Sequence, residues 1–287
     1  MFTTLAPLAL PVRVSFDRQL SLARENGFQA LDLPIHHLLT QLRSESVGRI
    51  QERFAAAGVR PGGWQLPFDH QAGTDAMFTR ALRLLARASW LAGQLGSPWC
   101  YHWIEPASDE FTFAQNAARH VARVRPVADI LGEHGCRLGL EPIGPSTLRI
   151  GPRYEFVHSI PMALELLSAV DRPNVGLLLD CFHWYTSRGS LAELRELDAS
   201  QVVYVHVNDA PAGIDVDEQL DQVRVLPGAS GVIDLPRFLG ALDAIGYEGP
   251  VAAEPFDAAL AGIPPDERVR LAGESVRSAF TVAGVGR

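Results

Sequence analysis

The 287-residue sequence contains no lysine, and all 25 of its basic side chains other than histidine are arginine. Schiff-base aldolases, enzymes that anchor pyridoxal phosphate on a lysine and nucleotide-binding proteins with a Walker A motif all depend on a lysine amine. The sequence therefore excludes these three classes. Cysteine is scarce as well, with three scattered residues, Cys100, Cys136 and Cys181. This odd, low number excludes a disulfide framework, and we expect each to be a small buried side chain.

Long apolar runs and excess positive charge are also missing. No stretch of 18 apolar residues predicts a membrane-spanning helix, and the first 11 residues lack the cationic start of a signal peptide. The net charge of −8 argues against a nucleic acid as the main partner, because affinity for a polyanion comes largely from basic side chains. We therefore expect a soluble cytoplasmic protein that binds neither nucleic acid nor a membrane.

Short apolar runs alternate with amphipathic stretches along the whole chain, which predicts eight strands, each followed by a helix. Runs such as Val175–Asp180 are apolar without alternation, as in parallel strands that are buried on both faces. Five of the helical stretches end at a glycine suited to a left-handed conformation: Gly27, Gly58, Gly96, Gly135 and Gly246. The predicted strands are Leu8–Val14, Ala30–Leu33, Arg60–Gln65, Trp99–Trp103, Arg137–Glu141, Val175–Asp180, Val202–Asn208 and Pro250–Glu254.

Eight such units without a linker predict a single-domain α/β protein, a (β/α)8 TIM barrel that spans residues 1–287. The alternative is an open doubly wound sheet. Its dinucleotide-binding version is disfavoured because no G-x-G-x-x-G motif follows the first predicted strand.

Four successive predicted strands end in a carboxylate or an imidazole, namely Glu141, Asp180, His206 and Glu254. The active sites of (β/α)8 barrels lie at the carboxyl ends of the strands, so we expect these side chains to converge. Three carboxylates buried with one imidazole would repel each other unless a cation neutralised them. The set therefore predicts one divalent metal ion, with Mn²⁺ preferred and Mg²⁺, Co²⁺ or Zn²⁺ as alternatives.

Several motifs surround these residues between Gly135 and Phe256. They are L-E-P at Glu141, N-V-G-L-L-L-D-C-F-H ending at His183, H-V-N-D from His206, R-V-L-P-G-x-x-G-V-I-D from Arg224 and G-Y-E-G-P-V-A-A-E-P-F ending at Phe256. Together they resemble the xylose-isomerase-like barrel family of sugar isomerases and epimerases, especially its inosose isomerase and ketose 3-epimerase branches.

The resemblance implies that Glu141, Asp180, His206 and Glu254 are the metal ligands and that Glu141 and Glu254 also exchange the substrate's proton. It also implies that His183 and Arg224 donate hydrogen bonds to substrate oxygens. An exposed ion pair with Asp221 is the alternative for Arg224.

We expect two further substrate contacts, from Trp103 and Asn208. For Trp103 the alternative is ordinary packing. Two features depart from the common family pattern. The loop Pro227–Gly231 is one residue longer than P-G-x-G, and Asp32 stands where many relatives have a glutamate.

These residues predict proton transfer next to a carbonyl group through an enediolate. Return of the proton to the same carbon from the opposite face gives an epimer, and return to the neighbouring carbon gives an isomer. We therefore expect a divalent-metal-dependent isomerase or epimerase of an unphosphorylated ketose or inosose-like cyclitol ketone. The resemblance also implies a homo-oligomer, and the sequence identifies no interface for one.

Three other functions stay open. A metal-dependent lyase or dehydratase on an inosose or a 3-oxo-glycoside would begin with the same proton abstraction. The dehydroshikimate version resembles enzymes with a histidine and a lysine where this chain has Ile143 and Asn208, which disfavours it.

An AP-endonuclease-type phosphoesterase would need further ligands, including a D-x-H pair near Asp221, which the sequence lacks. A non-catalytic binding barrel would not require both Glu141 and Glu254.

Overall fold

The apolar runs of the sequence become short parallel strands that are buried between a packed interior and an outer layer of helices. The computed structural model describes residues 1–286. Its strands in chain order are β1 Phe2–Leu5, β2 Ala30–Leu31, β3 Arg60–Pro61, β4 Trp64–Gln65, β5 Trp99–Ile104, β6 Ala107–Ser108, β7 Arg137–Pro142, β8 Tyr154–Glu155, β9 Val175–Asp180, β10 Val202–Val207 and β11 Pro250–Ala253.

Eight of the eleven helices in residues 1–286 correspond to the predicted helical stretches, and three short ones were not predicted. The helices are α1 Phe16–Glu25, α2 Ile35–Gln41, α3 Val47–Ala57, α4 Asp75–Leu95, α5 Phe113–Gly132, α6 Ile160–Val170, α7 Cys181–Thr186, α8 Leu191–Glu196, α9 Leu235–Ala244, α10 Ala258–Ala261 and α11 Pro265–Ala283. All five predicted terminal glycines have positive φ angles, which confirms that part of the prediction. The three cysteines are buried and unpaired, as expected.

Nine strands form one parallel sheet in the order β3, β2, β1, β11, β10, β9, β7, β5, β4. The two ends of this sheet, β3 and β4, are halves of one strand that Gly62 and Gly63 separate. The first half pairs with β2 and the second half with β5, so the sheet closes into a barrel. A Cβ at Gly62 would collide with the Asp32 carboxylate, and one at Gly63 would collide with the Tyr204 ring. The predicted (β/α)8 fold is therefore confirmed, with its third strand interrupted.

The first predicted strand is wrong. Leu8–Val14 forms turns, and the first strand is instead Phe2–Leu5, which pairs with β11 and β2. Pro7 and Pro11 explain the error, because proline has no N–H to donate to a strand ladder. Within the turn, the Arg268 guanidinium donates to the carbonyl oxygens of residues 10 and 11.

The predicted site residues lie at or just beyond the carboxyl ends of the parallel strands, where the barrel opens. A short antiparallel pair, β6 with β8, lies beside that opening. Within residues 1–286, none of the helices combines the length and the apolar character that crossing a membrane requires.

Candidate active site

The four predicted ligands meet at the carboxyl end of the barrel. Glu141, Asp180 and His206 project from β7, β9 and β10, and Glu254 directly follows β11. One ligand atom from each lies within 4.8 Å of the corresponding atoms of the other three. Nδ1 of His206 lies 3.3 Å from Glu141 Oε1, 3.3 Å from Glu254 Oε2 and 3.9 Å from Asp180 Oδ2. The imidazole nitrogen therefore faces all three carboxylates.

Arg224 supplies a positive charge at the same place. Its Nη1 donates to Asp180 Oδ2 at 2.7 Å and to Glu254 Oε2 at 3.0 Å, while Nη2 donates to Asp221 Oδ1 at 2.7 Å. The residue is 2% exposed, and its guanidinium carbon lies 4.8 Å and 4.7 Å from the ring centres of Phe182 and Phe256. The alternative of an exposed loop ion pair is therefore wrong, because the pair with Asp221 is buried inside the site.

Burial and mutual repulsion shift the pKa values of these groups in different directions. Burial raises the pKa of Glu141 to about 8, and the negative charges of Glu254 and Asp180 add to the effect of burial. Burial also acts to raise the pKa of Asp180, but the charge of Arg224 outweighs it and lowers that pKa overall. Burial acts to lower the pKa of His206, yet Glu254 and Glu141 raise it well above its usual value. Without a metal ion, the cluster therefore retains protons near neutral pH.

His183 lies beside this cluster. The backbone N–H of Gly144 donates to its Nδ1 at 3.2 Å. Its Nε2 lies 3.1 Å from Arg224 Nη2 and 3.9 Å from Glu141 Oε1. Burial, followed by the charge of Arg224, lowers the pKa of His183 to about 4, which keeps the ring neutral. An N–H group thus faces each ring nitrogen of His183, and a neutral imidazole can accept a hydrogen bond at only one of them.

A cavity of about 420 Å³ opens next to the four ligands. Trp103 lines it, at the position of β5 that pairs with Glu141, and its indole N–H donates to Glu105 Oε1 at 2.8 Å. Apolar side chains cover other parts of the wall, namely Leu8, Ile143, Leu148 and Phe256. The expected aromatic face of Trp103 is therefore part of this cavity.

Asn208 lies behind Asp180. Its amide nitrogen is 3.1 Å from each carboxylate oxygen of Asp180, the side chain is fully buried, and it is not among the described residues that line the cavity. In the structure, Asn208 thus orients the Asp180 carboxylate by hydrogen bonds from outside the cavity. A contact between Asn208 and a substrate stays a prediction.

Sequence reasoning missed Asp209, the last residue of the H-V-N-D motif. Its carboxylate accepts four backbone N–H groups, from Ala210, Ser230, Gly231 and Ile233, at 2.7 to 3.0 Å. Its own backbone forms a bridge with Val225, next to Arg224. Asp209 therefore fixes the P-G-x-x-G loop and, through it, the position of Arg224. The sequence signal for this role was an acidic residue followed, about 20 residues later, by a glycine-rich loop.

The donor set fits a divalent cation. Three carboxylates and one imidazole nitrogen face one point, and without a metal ion only Arg224 and the retained protons balance the charge of these carboxylates. Oxygen-rich ligation with one nitrogen suits Mn²⁺ or Mg²⁺ and also accommodates Zn²⁺ or Co²⁺. Glu141, Asp180, His206 and Glu254 are therefore the residues that would hold the ion.

A family profile described as "Xylose isomerase-like TIM barrel" matches residues 20–279. The chain belongs to this family. A xylose isomerase domain protein from Alicyclobacillus acidocaldarius subsp. acidocaldarius superposes with a TM-score of 0.89 at 32% identity, over 99% of this chain and 100% of that one. The IOLI protein with a bound zinc atom superposes with a TM-score of 0.82 at 19% identity, over 98% of both chains, which supports the fold.

Curated relatives include isomerases, epimerases and dehydratases. An inosose isomerase from Halalkalibacterium halodurans is 30% identical over 52% of this chain and 50% of its own length. A 3-dehydroshikimate dehydratase from Pseudomonas putida is 33% identical over 45% of this chain and 20% of its own length. A ketose 3-epimerase from Arthrobacter globiformis is 25% identical over 85% of this chain and 78% of its own length. This chain spans about half the length of the inosose isomerases that it matches.

Proposed function

We propose that the protein is a divalent-metal-dependent isomerase or epimerase of an unphosphorylated ketose or inosose-like cyclitol ketone. The observation that carries this proposal is the pair of glutamates beside the cavity. Glu141 Oε1 and Glu254 Oε2 both lie 3.3 Å from His206 Nδ1. The other oxygen of each glutamate makes no hydrogen bond to the described residues, so it is free to exchange a proton with a substrate carbon.

The bound cation would polarise the substrate's carbonyl group and so make the neighbouring C–H more acidic. The protein's own groups then move the proton. Glu141, deprotonated once it binds the ion, would take up the proton from that carbon with its second carboxylate oxygen. Glu254 comes from a non-adjacent strand and would return the proton from another direction. His183 would hydrogen-bond a substrate oxygen and hold it in place. Arg224, whose five N–H groups already have partners, would position His183 and the carboxylates around it.

The charges in the cavity favour a neutral substrate. Four carboxylates line it, from Glu105, Glu141, Asp221 and Glu254, against one guanidinium, that of Arg224. That guanidinium already donates to Asp180, Glu254 and Asp221. A phosphate or carboxylate on the substrate would find no free cation among the described residues that line the cavity. A polyol ketone suits the cavity better, because its hydroxyl groups can donate to the carboxylates and its C–H faces can pack on Trp103.

Elimination on the same scaffold is the second candidate, favoured by the dehydratase among the relatives. It would start with the same proton abstraction, after which a hydroxyl group would leave from the neighbouring carbon. The absence of a basic side chain at Ile143 and Asn208 favours an uncharged inosose or 3-oxo-glycoside over an acid for this reaction as well.

Solvent hydrogen exchange tests the proposal. The metal-reconstituted protein is incubated in D₂O with 2-keto-myo-inositol and, separately, with D-fructose, and deuterium at the carbons next to the carbonyl is followed by NMR. We expect exchange that needs added Mn²⁺ and is lost in Glu254→Gln, while the exposed-site control Glu248→Gln exchanges normally. Product signals separate epimerisation, isomerisation and elimination. Exchange that survives both metal removal and Glu254→Gln would falsify the proposal.

A further inference from the structure

A second group of ligand-type side chains lies on the other side of the barrel wall. Asp69, His70 and His102 each offer one ligand atom, and these atoms lie within 4.8 Å of one another. Side chains alternate along a strand, so His102 of β5 faces away from Tyr101 and Trp103 and toward the helices. His70 follows β4 in the loop before α4, and its ring centre lies 5.1 Å from that of His102. These three residues form a cluster distinct from Glu141, Asp180, His206 and Glu254, although His102 also borders the cavity of about 420 Å³.

The two imidazoles are buried without enough partners. His70 is 1% exposed, and neither of its ring nitrogens has a hydrogen-bond partner among residues 1–286. His102 is 2% exposed and its Nδ1 has no partner in the same range, while its Nε2 lies 3.4 Å from Asp69 Oδ1. Buried polar atoms almost always have a hydrogen-bond partner, because leaving one unpaired costs free energy. Three unpaired nitrogens in one cluster indicate a ligand that is not part of the protein chain.

The loop that presents the cluster is held in place without using the imidazoles. Arg123 donates to the carbonyl oxygens of His70, Ala72 and Gly73 and to the carboxylate of Asp75, at 2.9 to 3.0 Å. Arg119 donates to the carbonyl oxygen of Gln71. These two guanidinium groups are thus directed at backbone oxygens, and the loop is fixed before any ligand arrives. A fixed loop is what a specific binding site requires.

His70 is buried at the inner side of the cluster, whereas Asp69 lies at its solvent-exposed edge. The Asp69 side chain is 37% exposed, which gives an ion a path from solvent.

We propose that Asp69, His70 and His102 bind a second divalent ion of the Zn²⁺ type. Two imidazoles and one carboxylate, with a fourth position toward the solvent-exposed side of Asp69, match the tetrahedral coordination that Zn²⁺ prefers. The nitrogen-rich set selects Zn²⁺ or Co²⁺ over Mn²⁺ and Mg²⁺, in contrast to the oxygen-rich strand-end cluster. The proposal does not rest on the proposed catalytic function.

Cobalt titration of the metal-free full-length protein tests this site, because four-coordinate Co²⁺ absorbs visible light. We expect two Co²⁺ ions to bind per chain, and the double variant Asp180→Asn/His206→Gln to keep one of them together with the visible absorption. His70→Gln and His102→Gln in that double-variant background should remove the remaining ion. His158→Gln is the matched control, since His158 lies outside both clusters with its Nδ1 hydrogen-bonded to the Phe156 carbonyl oxygen.

If the buried histidine variants do not fold, Asp69→Asn still tests the metal site, because Asp69 is partly exposed and its replacement should leave the fold intact. We expect it to weaken Co²⁺ binding by about tenfold or more, since even the loss of an outer-shell group costs that much. Unchanged Co²⁺ stoichiometry and affinity in the folded His70→Gln or Asp69→Asn proteins would overturn the proposal. So would a wild-type protein that binds one Co²⁺ ion. Neither result depends on substrate exchange, so failure of this proposal is distinguishable from failure of the proposed function.

Discussion

Tyr204 donates its hydroxyl group to Oδ2 of Asp32 at 2.6 Å inside the barrel. Tyr101 donates to the same oxygen at 3.0 Å, and Oδ1 accepts from the Thr4 hydroxyl and the Gly63 N–H, both at 2.8 Å. The rings of Tyr204 and Tyr101 also meet the imidazole of His206 nearly at right angles, with centres 5.3 Å and 5.6 Å away. The carboxylate thus anchors the two aromatic rings that support one ligand of the candidate metal site.

Replacing Asp32 by alanine should destabilise the protein strongly. The change leaves two tyrosine hydroxyls, one threonine hydroxyl and one backbone N–H buried without an acceptor, at about 1–3 kcal/mol each before relaxation. We expect the free energy of unfolding in urea to fall by more than about 3 kcal/mol, against about 1 kcal/mol for Tyr204→Phe, which removes one bond. Asp243→Ala, at an exposed helix position, is the control. A loss for Asp32→Ala as small as that of the control would contradict this account.

Removing Arg224 should make stability depend on metal. Its partner Asp180 is fully buried, and removal of one member of a buried ion pair costs about 3–5 kcal/mol. We expect Arg224→Ala to lose about that much stability in EDTA and to recover part of it in Mn²⁺, because the cation replaces the missing positive charge. Thermal unfolding with and without Mn²⁺ measures both effects.

The control for Arg224 is Arg237→Ala. Arg237 pairs with Asp234 at 3.5 Å, but both side chains are more than half exposed, so its loss should cost less than about 1 kcal/mol. Equal losses for the two arginine variants in EDTA, or no effect of Mn²⁺ on Arg224→Ala, would show that Arg224 is not the counter-charge of the cluster.

The fold and the convergence of the four strand-end residues were predictable because local patterns determine them. An apolar run that ends in a polar residue, as at Val175–Asp180, marks both a buried strand and the residue at its carboxyl end. The prediction of the first strand failed for the same reason. Leu8–Val14 is more apolar than Phe2–Leu5, which carries two threonines, so the local pattern favoured the wrong segment. Thr4 fits the barrel because the interior next to it is polar, and its hydroxyl group donates to Asp32.

The residues that hold the site residues in place, such as Asp32 and Asp209, were not predictable. Their roles depend on contacts between segments that are far apart in the chain. Asp32 and Tyr204 are 172 residues apart, and no local pattern links them. The burial of Arg224 likewise follows from Asp209, which pins a distant loop with four backbone hydrogen bonds. A sequence motif can name Arg224 as a site residue, but whether it faces solvent, substrate or carboxylates is decided by tertiary packing.

Asp209→Ala should disorder the loop that carries Arg224. The substitution leaves the N–H groups of Ala210, Ser230, Gly231 and Ile233 without their acceptor, and two of these residues belong to the P-G-x-x-G loop. We expect faster amide hydrogen exchange over residues 224–233, with little change on the opposite side of the barrel. Asp234→Ala, which removes a helix N-cap next to the same loop, is the matched control. Unchanged protection of residues 224–233 in Asp209→Ala would contradict this role.

Metal binding at the strand-end cluster should release protons. The pKa of Glu141 is raised to about 8, so in the metal-free protein at pH 7 this carboxyl group is mostly protonated, and a cation must displace the proton to use the oxygen. Affinity for Mn²⁺ should therefore rise with pH through neutrality, by up to about tenfold per pH unit for each proton released. The raised pKa of His206 adds to the effect in the same direction.

Calorimetric titration with Mn²⁺ at pH 7, in buffers of different ionisation enthalpy, counts the released protons. Mn²⁺ restricts the readout to the strand-end cluster, because the cluster of Asp69, His70 and His102 favours Zn²⁺ or Co²⁺. We expect about one proton or more per bound ion in the wild-type protein and fewer in Glu141→Gln, whose amide cannot ionise. An affinity that stays constant between pH 6 and 8 would mean that Glu141 is already ionised in the metal-free protein, and that Arg224 neutralises the cluster more fully than its distances to Asp180 and Glu254 suggest.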